Sequence, residues 1–339
     1  MLCCSLAFSQ EESDRGYAEL SVIPRVDLNP MWNTGDKSFG FDLGNSSLYT
    51  LFEGSASEHF SWTIANHWLS AGSWIESGVD ALEMFKALGY SDTVNWLDYC
   101  KADLSFGNWT FTLGKDCITT GGHEYEDWDW EVHPLLASPL WNQLSPYQWG
   151  AKVAYTTPSE MSTFSLQMTT SPFGARPFSS GLYTYSAQWS GAYGWFSPLW
   201  SVSAFGRDAD AFSSAPREYD FLVSLGNQIL LEDWTLTLDW SNTCGMSEDY
   251  DRFFGGHSFH GRVDYAPSDR FDVSLRGNYI LTDKSVFNTN GFSLGSVLQF
   301  YPIPDSQDLR LHATVAYDSL LSNFAVSFGA LYNLCFNLW

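Results

Sequence analysis

Apolar and polar residues alternate with period two along most of this chain. Trp109, Phe111 and Leu113 are interleaved with Thr110, Thr112 and Gly114. Trp234, Leu236, Leu238 and Trp240 are interleaved with Thr235, Thr237 and Asp239. Phe271, Val273, Leu275 and Tyr279 oppose Asp272, Ser274, Arg276 and Asn278 in the same way. Successive side chains of a strand point to opposite faces, so this pattern predicts strands with one apolar and one polar face. The first is predicted over Tyr17 to Arg25, then Ser47 to Glu53, His59 to Trp68, Leu97 to Phe106, and an arm from Trp109. Gly54-Ser-Ala-Ser57 reads as a tight turn, and Gly78 to Leu88 as one short helix. The series resumes at Tyr147 and ends with a strand from Phe324 to Trp339, giving about sixteen strands.

The connections between these strands fall into two classes. Short turns are predicted at 54–58, 107–108, 157–161, 190–197, 226–232, 266–269 and 302–307. The alternate connections, at 29–46, 69–93, 116–146, 170–181, 207–217, 243–256, 281–289 and 318–323, are mostly longer. Short turns on one side and long loops on the other belong to a transmembrane β-barrel. The fold class expected is therefore all-β: a closed antiparallel barrel with short periplasmic turns and long outer loops.

Composition sharpens this. Aromatic residues make up 17% of the 339 and charged residues only 16%, too few charges to coat a soluble barrel of this size. No apolar run approaches the length of a membrane helix, and a closed barrel is the other structure that crosses lipid with its backbone paired. Trp109, Tyr147, Trp189, Trp234, Trp240, Tyr265 and Tyr279 lie near strand ends, where aromatic girdles meet the lipid interfaces. Residues 1–9, with Ala7-Phe-Ser9 after an apolar stretch, read as a truncated signal-peptide remnant, the alternative being an ordinary apolar N-terminus. Residues 10–339 read as a single barrel domain.

The candidate chemistry concentrates in the connection 116–146. Glu124, Glu126, Asp127, Asp129 and Glu131 are interleaved there with Tyr125, Trp128 and Trp130. Long loops are usually functional. These carboxylates suit a pore constriction that favours cations. They also suit a carboxylate pair for glycoside hydrolysis with tryptophan platforms, whose geometry sequence does not give, a calcium site, or a plain solvated loop. The pore reading is preferred, with no catalytic residue, metal or cofactor assigned. Strand parity places Arg25, Lys101, Lys152, Arg262, Arg276 and Arg310 on the lumen face, with Glu19, Asp103, Asp239, Asp264 and Asp272. Cys100 is expected opposite Lys115, which makes Cys117 a diagonal neighbour, long for a disulfide; two thiols are preferred. His59 and His67 are too far apart along one strand to share a metal. At a net charge of -23 nucleic acid is not an expected partner.

Trp109-Thr-Phe-Thr-Leu-Gly-Lys115, followed by Gly121-Gly122, resembles the strand and glycines that lead into the constriction loop of outer-membrane porins of Gram-negative-type bacteria, the phosphate-selective-porin-like group included. The resemblance implies a sixteen-stranded, often trimeric barrel whose third long loop narrows the channel, and 116–146 is the third long connection here. It implies lipid as surroundings, small hydrophilic solutes or ions as cargo, and a C-terminal strand read by the outer-membrane assembly machinery. Trp339 is terminal and aromatic, but Phe328, Tyr332, Leu334, Phe336 and Leu338 have the other parity. The function expected is a passive diffusion porin, not an enzyme. The alternatives are a sugar-preferring porin, a non-conducting adhesin or structural barrel, and a secreted carbohydrate-active β-protein.

Overall fold

The computed structural model describes residues 16–43, 46–70, 97–126, 134–174, 178–208, 217–243, 254–281 and 290–338. Its strands are β1 (Tyr17–Asn33), β2 (Phe39–Asp42), β3 (Ser47–Ser57), β4 (Phe60–Ser70), β5 (Leu97–Phe106) and β6 (Trp109–Cys117). Then come β7 (Tyr147–Thr156), β8 (Ser162–Thr170), β9 (Tyr183–Gly191), β10 (Phe196–Asp208), β11 (Arg217–Leu230) and β12 (Trp234–Ser241). The chain finishes with β13 (His257–Ser268), β14 (Phe271–Leu281), β15 (Gly291–Phe300), β16 (Leu309–Asp318), β17 (Asn323–Tyr332) and β18 (Leu334–Asn337). Between β6 and β7 lie helix α1 (His123–Glu126), a 3-10 turn at Pro134–Leu136, and helix α2 (Pro139–Gln143).

All 18 strands form one antiparallel sheet, and β1 closes it by pairing with β17 and β18. Two of the eighteen are halves of longer strands. Leu331 opposes Arg25 and Leu334 opposes Val22, one unbroken register, so β17 and β18 are a single strand interrupted at Asn333. Likewise β2 and β3 both pair with β1, Asp42 opposite Asn29 and Ser47 opposite Arg25. Between these pairings the Ser46 hydroxyl accepts from the Asp27 N–H at 2.7 Å. Eighteen strands less these two joins leave sixteen crossings, an even number.

The two faces divide as the alternation requires. Leu166 is 62% exposed and Leu275 52%, both on the outside, while Ser203 and Ser274 inside are 1% and 2% exposed. A soluble barrel inverts that order. Beside the short turns, aromatic pairs ring the outer face: Trp109 with Tyr155, Trp234 stacked on Tyr265, and Phe271 stacked on Phe300. The fold is thus a transmembrane β-barrel with an apolar belt and aromatic borders.

Two expected boundaries move. β1 runs to Asn33 instead of stopping at Arg25, because Asp27 and Asn29 are buried lumen-facing strand residues, not loop residues. The first short turn falls at residues 58–59, and Gly54 stays within β3. A Cβ there would lie 2.4 Å from the Trp62 ring, so the glycine makes room for an indole across the strand pair. Phe328, Tyr332, Leu334, Phe336 and Leu338 all face outward in one parity through the Asn333 break. The helix expected over Gly78 to Leu88, the N-terminal segment 1–9 and Trp339 lie outside the described residues.

Candidate functional site: a segment folded into the barrel

After β6 the chain turns inward instead of continuing into solvent. The Ile118 N–H donates to the Pro146 carbonyl at 2.8 Å, which closes the base of the segment. Its backbone is then bound by lumen-facing side chains of successive strands. The Thr119 N–H donates to Gln167 Oε1 on β8, and Gln167 Nε2 donates back to the Cys117 carbonyl, both at 2.8 Å. Ser203 on β10 and Ser224 on β11 donate to the Thr119 and Gly121 carbonyls at 3.2 and 3.0 Å. On β12, Asp239 Oδ2 accepts from the Glu124 N–H at 2.7 Å. On β14, Asn278 Nδ2 donates to the Leu136 carbonyl at 2.6 Å. Each bond satisfies a backbone group that water would otherwise have to reach.

Two glycines make the close approach possible. Gly121 and Gly122 have φ of +66° and +87°, a region that favours glycine, and a Cβ on Gly121 would lie 2.6 Å from Ser201 Oγ.

Apolar anchors fix the segment at both ends. Ile118, Leu140 and Leu144 pack with Phe205 and Leu222 of the wall, and Phe173 and Phe254 from neighbouring connections join them. Leu135, Leu136 and Ala137 pack against Val297, Ala316 and Ala325 on β15, β16 and β17. Leu136 is fully buried, a contribution of about 1.5–3 kcal/mol from area alone. The segment thereby lies along the inner wall from β8 to β17.

The acidic block divides. Glu124 is buried: its Oε1 accepts from the Ser138 N–H at 2.7 Å and lies 3.5 Å from His260 Nδ1. Tyr125 and Glu126 lie in α1. Asp127, Trp128, Asp129, Trp130 and Glu131 lie outside the described residues.

The lumen charges are on the inner face, mostly with local partners. Arg25 pairs with Asp27 at 2.8 Å, and Asp27 also lies 3.1 Å from His312 Nε2 across Gly329. A Cβ at Gly329 would lie 2.2 Å from Asp27 Oδ1 and 2.4 Å from the His312 ring, so this contact over the barrel seam needs glycine. Asp116 takes Lys101 on one oxygen at 3.0 Å and Lys152 on the other at 2.8 Å. Arg262 pairs with Asp264 at 2.7 Å and stands directly opposite Arg276, whose Nε donates to Ser274 Oγ at 3.0 Å. Asp103 accepts from Thr112. Glu19 and Arg310 are buried, and Asp272 is half-buried. Cys100 stands opposite Lys115, and neither Cys100 nor Cys117 is in a disulfide. His67 pairs with Asp98.

Sequence reasoning did not single out Asp27, Asp116, Gln167, His260, Asn278 or His312. Their signal is present: each is a polar residue at a lumen-parity position of a strand. What singles them out among many such positions is the segment or charge that reaches them.

No family model matches the chain, and no curated protein matches its sequence. Solved structures do match in fold. The outer membrane channel DcaP of Acinetobacter baumannii is 11% identical with a TM-score of 0.60, over 96% of this chain and 99% of that one. OmpT, an outer membrane protein of Vibrio cholerae, in its trimer form is 10% identical with a TM-score of 0.58, over 95% and 100%. A mutant of Rh. blastica porin is 13% identical with a TM-score of 0.55, over 94% and 100%. Together with the apolar belt, these likenesses make the chain a transmembrane β-barrel with the fold that these outer-membrane proteins share.

Proposed function

We propose that this barrel is a passive diffusion channel for small hydrophilic solutes or ions, narrowed by the segment to which residues 118–126 and 134–146 belong. The observation that carries the reading is the inward course of that segment. It binds one side of the lumen, from β8 to β17, by side chains whose alternative partners are water. The facing strands keep Lys101, Lys152 and Asp103 half-buried at a polar inner surface. A polar, charged interior is what a water-filled channel requires. The chain is read as a transporter and not an enzyme, with periplasmic short turns and outer long loops. A homotrimer is the assembly proposed, on the likeness to the trimer form of OmpT.

Planar-bilayer recording of the refolded barrel tests this. Stepwise ohmic conductance is expected. A correctly folded, heat-modifiable barrel that inserts without conductance steps would sink the channel reading and leave a structural or adhesive barrel.

A further inference from the structure

The contact between the inward segment and the wall encloses a cavity of about 20 Å³, lined by Glu124, Ser138, Ser224, Asp239, Ser258 and His260 among others. That is room for one water molecule. Two of its lining atoms, Asp239 Oδ1 and His260 Nε2, are buried without a hydrogen-bond partner. Both residues are more than nine-tenths buried, and they stand directly opposite each other on β12 and β13.

The hydrogen bonds around them fix the imidazole tautomer. Asn278 Nδ2 donates to the Leu136 carbonyl and to Ser293 Oγ, so Asn278 presents its Oδ1 to His260 Nδ1 at 2.8 Å. Nδ1 therefore carries hydrogen, and in the neutral ring Nε2 is a bare acceptor. In the ionised carboxylate Asp239 Oδ1 is a second acceptor without a partner. Two buried acceptors without a donor are costly, and one proton resolves both. It makes Nε2 a donor, directly or through the single water, to Asp239.

We propose that this cavity is a proton-binding site that locks the inward segment to the wall on mild acidification. The lock acts on the segment because both partners already hold it: Asp239 through the Glu124 N–H, His260 through Asn278 and Leu136 and beside the Glu124 carboxylate. The charged groups around the imidazole are Glu124 and Asp239, which face it, and Arg262 and Arg276, next along the same inner face, with Asp264 in contact with Arg262. His123 is engaged with the Ser197 carbonyl.

Hydrogen exchange on the detergent-refolded barrel tests the site without reference to conduction, so its failure is separate from failure of the channel proposal. The measure is amide protection in 118–126 and 134–146, each pH referred to the free-peptide rate. Wild type is expected to be about tenfold better protected at pH 5.5 than at pH 8.0. Asp239→Asn places an amide N–H₂ where Oδ1 stood, supplying the missing donor. It is expected to show the higher protection at both pH values. His260→Asn keeps a donor toward Asn278 and cannot titrate, so its protection is expected to be the same at both. Equal wild-type protection at the two pH values overturns the proposal, whether or not either variant refolds. So does a tenfold change that persists in His260→Asn.

Discussion

Asp116 places one carboxylate between two lysines, Lys101 and Lys152, on the strands either side of its own. Its replacement by Asn removes the carboxylate that Lys101 and Lys152 share. A fully buried pair broken in this way costs about 3–5 kcal/mol. Here the lysine side chains are 19% and 25% exposed, so lumen water absorbs part of the loss. Asp116→Asn is therefore expected to lower the unfolding free energy by only about 1–2 kcal/mol, well under the buried-pair figure. The larger consequence is expected in reversal potential, which should move toward anions by the uncovered charge. A variant with unchanged ion preference would mean that solutes do not pass this part of the wall.

At the scale of elements, the inward segment and the barrel separate energetically. Leu136→Ala removes the buried knob between β15, β16 and β17 and is expected to cost about 2–5 kcal/mol of segment docking. Added protease should then cut within 134–146 while the heat-modifiable shift of the barrel stays intact. Loss of that shift would tie the segment to barrel formation itself. The lipid belt responds to a different change. Leu275→Arg, on the outer face of β14, is expected to destabilise the barrel by about 2–4 kcal/mol if the residue sits near the bilayer midplane. A variant as heat-stable as wild type would contradict the face assignment. The strands were legible in the sequence because period two survives wherever one face meets lipid and the other a polar lumen. Leu97–Phe106 and its turn at 107–108 fall where the alternation places them. β1 was cut short because Asp27, Asn29 and Asn33 carry the composition of a loop when their burial is unknown. The inward course of 118–126 and 134–146 was not legible by pattern, since their wall partners Gln167, Asp239 and Asn278 lie 48, 115 and 142 positions away from the residues they hold. Glu124 shows the same limit. As one of five carboxylates in a row it looks like its neighbours, and only its bonds to Ser138 and the wall distinguish it.

For the whole molecule the question is which sign of charge governs passage. The lumen holds many of the few basic residues, but Arg25, Lys101, Lys152, Arg207 and Arg262 each have a carboxylate in contact. A paired charge projects little field across water at about 8 Å screening. Residues 120–146 contain no Lys or Arg at all, so Glu126, Asp127, Asp129 and Glu131 have no basic neighbour in sequence to cancel them. Cations are therefore expected to be favoured, and a KCl gradient should give a K⁺-selective reversal potential that weakens as salt rises. Replacing those four by Gln or Asn should move the potential toward anions. Glu124→Gln serves as the internal control. Its carboxylate is spent on the Ser138 N–H and lies beside His260, so it should loosen the segment, seen as faster exchange there, while leaving the sign of selectivity unchanged. An anion-selective wild type, or a fourfold variant with an unaltered potential, would take the acidic block out of the selectivity mechanism. The directly opposed Arg262 and Arg276 would then be the residues to examine.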